Sequence, residues 1–184
     1  MRSNAEIRIV PVGPADRDLL EYLALTLPGR FGWGCVEVTA NLSLEETYNS
    51  TRRQYHSTAL LAQLRELAID DSKILGVTDL DLFIPIFTFV FGEAQVGGRA
   101  ALMSTHRLRQ EFYGLPADRR LLLARAEKEA VHELGHAFGL GHCRSFDCGM
   151  RFSNSVEQVD LRPCQFCQLC EGELQGISGF NLAA

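Results

Sequence analysis

The sequence predicts an α/β fold with a mixed, mostly parallel twisted sheet, followed by a small irregular segment that is held together by metal. Three observations support this prediction. Strand-like and helix-like patterns alternate through the first two thirds of the chain. Beyond residue 139 these patterns give way to glycine, cysteine, serine and asparagine. Five of the six cysteines lie in that irregular part, where a reducing compartment favours metal binding over disulfides.

The first half of the chain predicts two strand and helix pairs. A β-branched run at residues 6–12 predicts a strand that ends at turn residues. Apolar residues at helical spacing predict a helix over 16–27, which stops before Pro28. Alternation over 35–42 predicts a second strand. Residues 51–69 predict a second helix, with an apolar stripe formed by Leu60, Leu61, Leu64 and Leu67.

The next part of the chain predicts the remaining strands and a long helix. Residues 73–77 predict a strand of the parallel sheet. Residues 87–91 and 99–104 predict two strands joined by the turn-rich loop 92–98, which indicates an antiparallel pair. A helical pattern then covers residues 118–139.

Length and charge limit the classes of protein that fit. With 184 residues, we expect one domain, with residues 1–139 forming an α/β part and residues 140–184 a smaller C-terminal part. The formal charge of -5 opposes nucleic acid as a partner. No apolar run reaches the roughly 18 residues of a membrane span, and no signal peptide is recognisable at the N-terminus. We therefore expect a cytoplasmic protein without a membrane partner.

A metal-binding pattern, His-Glu-Leu-Gly-His-Ala-Phe-Gly-Leu-Gly-His, begins at His132. His132 and His136 are four residues apart, so on a helix they project from one face and can share a zinc ion. Glu133 lies beside them, where a carboxylate contacts zinc-bound water without itself binding the metal. Gly139 permits the left-handed turn that brings His142 round as a third ligand. The fourth position then stays open for water.

Closely spaced cysteines follow this pattern, at Cys143, Cys148, Cys164, Cys167 and Cys170. Two cysteines three residues apart, with a second pair nearby, can close a tetrahedral thiolate site. Spacing alone leaves open whether Cys164 and Cys167, or Cys167 and Cys170, form the three-apart pair. A redox-active dithiol is the alternative chemistry for such a pair. Cys35 stands alone and is expected to be a small buried apolar side chain.

The extended pattern HExxHxxGxxH with a downstream methionine turn resembles the metzincin clan of zinc metallopeptidases. Cysteine directly after His142, the string Cys148-Gly149-Met150 and the pair at 167–170 resemble one family of that clan, the archaemetzincins. Residues 48–50, 76–79 and 91–93 are also similar to this family. The resemblance implies a single metallopeptidase domain with a metzincin-like zincin fold, an active-site helix and a small zinc-bound C-terminal subdomain.

The resemblance also implies two zinc ions in each chain. His132, His136 and His142 would hold the catalytic zinc. Four cysteines would hold a structural zinc, with Cys164 left as a spare thiol, and they are Cys143, Cys148, Cys167 and Cys170. Met150 would be the methionine of the turn, packed below the imidazoles without binding the metal.

Several further roles follow from the same resemblance. Glu133 would accept a proton from water and pass it to the leaving amine during peptide-bond hydrolysis. The resemblance implies that residues 87–91 form the antiparallel edge strand, to which an extended peptide or protein substrate would add. The alternative is that this segment is simply a buried apolar strand. Phe152 stands where some metzincins carry a tyrosine ligand, and it has no ligand atom. From the residues themselves, Glu93 is expected to be solvated, as charged loop residues usually are, or to face the cleft. His106 is expected not to bind metal, because it lies in a polar stretch and three metal ligands are already present.

Three functions therefore compete. The first is a zinc metallopeptidase of the aminopeptidase or short-peptide type. The second is a zinc-stabilised peptide-binding module with little or no turnover. A nucleic-acid-binding zinc protein is the third, and the acidic balance opposes it. Glu133 favours the enzyme, because a purely structural site has no use for a carboxylate beside an open metal position.

Overall fold

The structure is a computed structural model that describes residues 5–68 and 70–177. Its strands are β1 (Glu6–Pro11), β2 (Gly34–Glu37), β3 (Tyr48–Asn49), β4 (Gln54–His56), β5 (Lys73–Thr78), β6 (Leu82–Phe83), β7 (Gly92–Ala94) and β8 (Ala100–Ser104). Its α-helices are α1 (Arg17–Phe31), α2 (Ser57–Glu66), α3 (Arg119–Ala137), α4 (Val156–Leu161) and α5 (Gln168–Gln175). Short 3-10 turns cover Glu45–Thr47 and Gln110–Tyr113.

Within these described ranges the main sheet has the strand order β2-β1-β5-β8-β7. Strand β1 runs parallel to β2 and β5, and β5 runs parallel to β8. Strand β7 lies at the edge and is antiparallel to β8. A smaller sheet in the described part of the chain has the order β3-β4-β6. The prediction of a mixed, mostly parallel sheet with an antiparallel edge strand is confirmed.

Alternation along the strands divides the apolar core between the two faces of the main sheet. Ile7 and Ile9 of β1 pack with α1 and α3 in the larger cluster. Val10 and Val12 face the other way and pack with the apolar side of α2 in the smaller cluster. Helices therefore cover both faces, and α3 lies on the side of the larger cluster.

The edge strand begins later than the sequence predicted, at Gly92 instead of within residues 87–91. The reason is a set of side-chain bonds that hold residues 87–88 in a turn. The Arg52 guanidinium donates to the Phe87 carbonyl at 2.6 Å and to the Thr88 carbonyl at 3.2 Å. These two carbonyls therefore accept hydrogen bonds from the Arg52 side chain and do not pair with the backbone of β8.

Helix α1 continues past Pro28, so the prediction that it stops there was wrong. Proline lacks one backbone donor, which costs less near the end of a helix than in its middle. Burial of Phe31 and an Arg30–Glu127 ion pair at 2.9 Å offset that loss. The helix ends at Gly32, whose φ of +64° suits glycine and whose N–H donates to the Pro28 carbonyl.

Two further boundaries differ from the sequence predictions. Strand β2 ends at Glu37 instead of continuing to residue 42. Helix α2 begins at Ser57, because Gln54–His56 pair with β6 as a strand and the Gln54 amide donates to Asp81. The last residue predicted for this helix, Ile69, lies outside the described residues. Helix α3 agrees closely with its prediction and starts at a side-chain cap from Asp118 to the Leu121 N–H.

The segment after α3 packs against the same core as the sheet. Cys148, Met150, Val159 and Leu174 are buried in the larger apolar cluster together with residues of α1 and α3. No helix in the described residues is long and apolar enough to cross a membrane.

Candidate zinc centres

Helix α3 places two histidine side chains one turn apart on the same face. The Nε2 atoms of His132 and His136 lie 3.2 Å apart, and both side chains are buried. Because α3 is packed along most of its length, these positions are set by the helix and do not depend on a loop.

The turn after α3 adds the third histidine. Gly139 has a φ of +108°, which strains any other residue, and its N–H donates to the His136 carbonyl at 2.8 Å. The chain therefore reverses and returns His142 to the first two rings, with its ring centroid 4.8 Å from that of His136. A nitrogen atom from each of the three rings lies within 4.8 Å of the others.

The hydrogen bonds of these rings fit a metal ion. The Nδ1 of His132 donates to the Gly149 carbonyl, and the Nδ1 of His136 donates to the Leu140 carbonyl, both at 2.8 Å. The two Nε2 lone pairs therefore face each other, an arrangement that a cation between them stabilises. Two ligands about 2.05 Å from a tetrahedral zinc stand roughly 3.3 Å apart, close to the separation found here.

Burial also keeps the first histidine neutral. It lowers the pKa of His132 well below its ordinary value, and the charge of Arg162 lowers this pKa further. A neutral imidazole keeps the lone pair that a metal needs. Desolvation lowers the pKa of His136 and His142 in the same direction.

Glu133 is buried beside the histidines. Desolvation raises the pKa of its carboxyl well above the ordinary value, and the neighbouring Glu129 raises it further, whereas Arg162 lowers it. A carboxylate with a raised pKa is suited to accept and return a proton near neutral pH.

The histidines and Glu133 line a cleft of about 440 Å³. The segment around β7 lines one side, and residues 152–154 with Arg162 line another. Arg162 is buried and pairs with Glu129 at 2.5 Å. Among the described residues, the Nε of Arg162 is the one buried side-chain nitrogen or oxygen atom that has no hydrogen-bond partner. Neither residue belongs to a recognisable motif, so the sequence alone did not reveal this pair.

Met150 and Phe152 support the histidines without offering an obvious ligand. Met150 is fully buried, and its sulfur occupies the space that a Cβ at Gly135 would fill, directly on the helix between the two histidines. The Phe152 ring meets the His142 ring edge-on, with centroids 5.2 Å apart. The resemblance to the metzincins implied both placements near the site.

A second candidate centre is formed by four cysteine sulfurs. The Sγ atoms of Cys143 and Cys167 lie 3.8 Å apart, those of Cys148 and Cys170 lie 3.6 Å apart, and all four fall within 4.8 Å of one another. These separations are too long for disulfide bonds. Four thiolates about 2.3 Å from a tetrahedral zinc stand roughly 3.8 Å apart, so the cluster fits a closed zinc site.

Backbone donors also suit thiolates at this cluster. The Cys167 N–H donates to the Cys148 sulfur and the Ser145 N–H donates to the Cys143 sulfur, each at 3.4 Å. The backbone N–H of Cys170 lowers the pKa of the Cys167 thiol to about 7, with neighbouring thiols acting in the same direction. A thiol of this kind loses its proton readily when a metal binds.

The remaining cysteines lie outside this cluster. Cys164 is half-buried near Glu127, and desolvation raises the pKa of its thiol to about 12. The structure therefore brings Cys170, and not Cys164, together with Cys167 and the other two cysteines. Cys35 is half-buried, and desolvation raises the pKa of its thiol to about 12.

Three consecutive residues connect the two clusters. Cys148 belongs to the sulfur cluster, the Gly149 carbonyl accepts from His132, and Met150 packs below the histidines. The Gly149 N–H donates to the Gln165 carbonyl at 2.7 Å, which holds this short segment from its other side.

Two residues with weaker sequence signals are also located. Glu93 lies in β7 and lines the cleft, but its carboxylate accepts from the hydroxyls of Ser57 and Thr58 and is not simply solvated. His106 bonds to the Asp79 carbonyl through Nδ1 at 3.1 Å and lies outside the histidine cluster.

An α/β fold with an HExxH helix, a third convergent histidine and a buried carboxylate defines a zinc metallopeptidase. The sequence matches peptidase family M54 over residues 32–176. It is 41% identical over 172 residues to archaemetzincin from Methanocaldococcus jannaschii, with 92% of each chain covered. The chain therefore belongs to peptidase family M54, the archaemetzincins, and the resemblance found in the sequence is confirmed.

Solved structures show the same relationship. The crystal structure of archaemetzincin from Archaeoglobus fulgidus, complexed with malonate, superposes with a TM-score of 0.79 at 40% identity, covering 91% of this chain and 99% of that one. The crystal structure of archaemetzincin from Methanopyrus kandleri has a TM-score of 0.83 at 34% identity, covering 95% of this chain and 96% of that one.

Proposed function

We propose that this metallopeptidase cleaves peptide bonds with Glu133 as general base and acid beside a zinc ion held by His132, His136 and His142. The observation that carries the proposal is the pair of facing Nε2 atoms 3.2 Å apart, because both rings use Nδ1 as a donor to a backbone carbonyl. A zinc ion bound there supplies a Lewis acid that acidifies water and polarises a carbonyl oxygen.

The residues of the chain perform the proton transfers. Glu133 accepts a proton from the attacking water as that water adds to the scissile carbonyl carbon. Glu133 then returns the proton to the departing amine nitrogen, which completes hydrolysis with no net change in the carboxyl group. The raised pKa of Glu133, caused first by burial, supports both transfers because the carboxyl holds a proton more readily than an exposed glutamate does.

We place an extended peptide or protein substrate along β7. This strand lies at the edge of the main sheet and borders the cleft, so its outer backbone can pair with an added strand. The segment proposed to receive the substrate is therefore Gly92–Ala94 instead of residues 87–91.

We assign a second zinc ion to Cys143, Cys148, Cys167 and Cys170, with a structural role. Four sulfur ligands complete the coordination of a tetrahedral zinc and leave no position for a substrate. The support is the spacing of the sulfurs, with pairs 3.8 and 3.6 Å apart.

The test is cleavage of a peptide library, read by mass spectrometry, by the zinc-loaded protein and by Glu133→Gln. The glutamine keeps the shape of the side chain and removes its basicity, so we expect zinc content to stay the same and cleavage to disappear. Glu21→Gln on the exposed side of α1 is the matched control and should cleave like the parent protein.

Other outcomes have distinct meanings. If neither protein cleaves peptides while both carry zinc, a zinc-stabilised peptide-binding module replaces the enzyme as the better proposal. Equal cleavage by the parent protein and Glu133→Gln would reveal a contaminating peptidase and would remove the support for Glu133.

A further inference from the structure

The edge strand β7 passes directly against the Glu133 side chain at Gly92. A Cβ added at Gly92 would stand 2.6 Å from both Cγ and Oε1 of Glu133, and 2.7 Å from its Cδ. Such separations are well inside van der Waals contact. The space taken by the Glu133 carboxyl group is therefore the space that a side chain at residue 92 would need.

The backbone at Gly92 is held firmly on the other side. Gly92 pairs with Met103 of β8, and the Ser104 N–H donates to the Phe91 carbonyl at 2.7 Å. The Glu93 carboxylate accepts one shared bond from the Thr58 hydroxyl, which lies 2.8 and 3.0 Å from its two oxygens, and another bond from the Ser57 hydroxyl. Strand β7 is thus fixed to β8 and to the start of α2, and it cannot easily retreat from α3.

We propose that Gly92 is a positioning residue, which sets where the Glu133 carboxylate stands relative to the three histidines. The inference rests on the proposed role of Glu133 and adds the group that locates it. The Glu133 carboxylate lies between the Cα of Gly92 on one side and the packed helix α3, which carries Glu133, on the other. Glycine at this position lets the backbone approach closely enough to confine the carboxylate between them.

The variant Gly92→Ala separates this role from a role in folding. Gly92 does not have a positive φ, so alanine fits its backbone. The colliding atoms belong to the outer part of the Glu133 side chain, which can rotate away while the backbone stays in place. The expected structural change is therefore a displaced carboxylate in a folded, zinc-binding protein.

The experiment compares Gly92→Ala with the parent protein and with Gly34→Ala. Gly34 lies in β2, the opposite edge strand, where an added Cβ would meet no described atom within 4 Å. We expect Gly92→Ala to keep its zinc content and its KM and to lose roughly 10²-fold in kcat, the cost of misplacing a catalytic group by about 1 Å. Gly34→Ala should leave all three quantities unchanged.

A double-variant cycle with Glu133→Asp excludes a merely structural effect. Aspartate is shorter and already withdraws the carboxylate, so its cost in the Gly92→Ala protein should be much smaller than in the parent protein. Additive losses would overturn the proposal, as would an unchanged kcat or a rise in KM alone in Gly92→Ala.

A readout without turnover completes the test. In the cobalt-substituted protein, the pH dependence of the visible absorption senses a carboxylate next to the metal. We expect the pH at the midpoint of this absorption change to shift in Gly92→Ala and to stay the same in Gly34→Ala. An unmoved midpoint would overturn the proposal even if kcat fell. If the parent protein is inactive but the midpoint moves, the hydrolytic function fails while the positioning of Glu133 by Gly92 stands.

Discussion

The two candidate metal centres are built in different ways. The histidine cluster takes two of its side chains from one packed helix, and its third member, His142, is exposed at the cleft. The cysteine cluster joins a loop after α3 to the start of α5, and Cys148 and Cys170 are buried in it. The histidine cluster borders the cleft, whereas the four sulfurs of the cysteine cluster lie within 4.8 Å of one another.

The difference concerns what holds each cluster in shape. Helix α3 is ordered by apolar packing, so His132 and His136 stand in position through the fold itself. Residues 143–148 contain no helix or named strand, although the Cys143 N–H donates to the Met150 carbonyl and Cys148 is buried. We expect a metal bound to the sulfurs to supply much of the remaining order. We therefore expect loss of the histidine metal to remove activity with little effect on folding, and loss of the cysteine metal to affect folding first.

Cys148→Ser should have the largest effect. It removes a buried sulfur and with it one zinc equivalent, and we expect a loss of more than about 5 kcal/mol in the free energy of unfolding, since structural zinc binds with roughly 10–16 kcal/mol in small zinc domains. Zinc analysis and thermal unfolding measure the change. Cys164→Ser is the matched control and should retain both equivalents. If Cys164→Ser lost zinc and Cys170→Ser retained it, Cys164 would replace Cys170 as the ligand that pairs with Cys167.

His136→Ala should produce the opposite pattern. We expect it to lose the other zinc equivalent and to reduce peptide cleavage by at least roughly 10³-fold, more than the removal of a single transition-state donor costs. Thermal unfolding should shift less than in Cys148→Ser, because α3 keeps its apolar contacts. His106→Ala, which lies outside the cluster, is the control for cleavage and zinc content. A drop in stability as large as that of Cys148→Ser would show that the histidine metal also holds the fold.

Gly135→Ala tests the floor of the histidine cluster. The added Cβ would overlap the Met150 sulfur, so we expect a loss of about 1–3 kcal/mol in the free energy of unfolding, as for other overpacked cores. Chemical denaturation measures it. Gly172→Ala in α5 is the control, since its Cβ would meet no described atom within 4 Å. That variant should gain up to roughly 1 kcal/mol, the usual advantage of alanine inside a helix. Equal changes in the two variants would contradict close packing at Gly135.

Phe152→Ala should have the smallest effect. Removing the ring that packs edge-on against His142 is expected to cost about 0.5–1.5 kcal/mol, which weakens zinc binding at the histidine cluster by roughly tenfold or less. Competition with a coloured chelator measures the affinity, and the zinc equivalent at the cysteines should be unaffected. If Phe152→Ala weakened zinc binding at both clusters, the Phe152 ring would not act on the histidine cluster alone.

The sequence predicted the parts of the fold that depend on local patterns. The strands at β1, β5 and β8 and the long helix α3 follow from alternation and helical spacing, and the mixed sheet is confirmed. The convergence of His132 and His136 follows from their separation by one helical turn. That these residues bind zinc stays a prediction, as does the structural role of the cysteines.

Features that depend on distant contacts could not be predicted in the same way. The edge strand begins at Gly92 because Arg52 holds the preceding carbonyls, a contact across 35 residues of sequence. Helix α1 passes Pro28 because Glu127 pairs with Arg30 from another helix. Cysteine spacing left two pairings open, and the arrangement of the sulfurs in space separates Cys164 from the cluster, as the family resemblance implied.

The bond from His132 to the Gly149 carbonyl has a consequence for biosynthesis. During translation His132 leaves the ribosome before Gly149, and Gly149 leaves before Gln165, whose carbonyl holds it in place. A nascent chain that has not reached residue 165 already contains the metal-binding helix but lacks the support that orients its first histidine. The histidine cluster is therefore expected to be complete only after residue 165 has been synthesised.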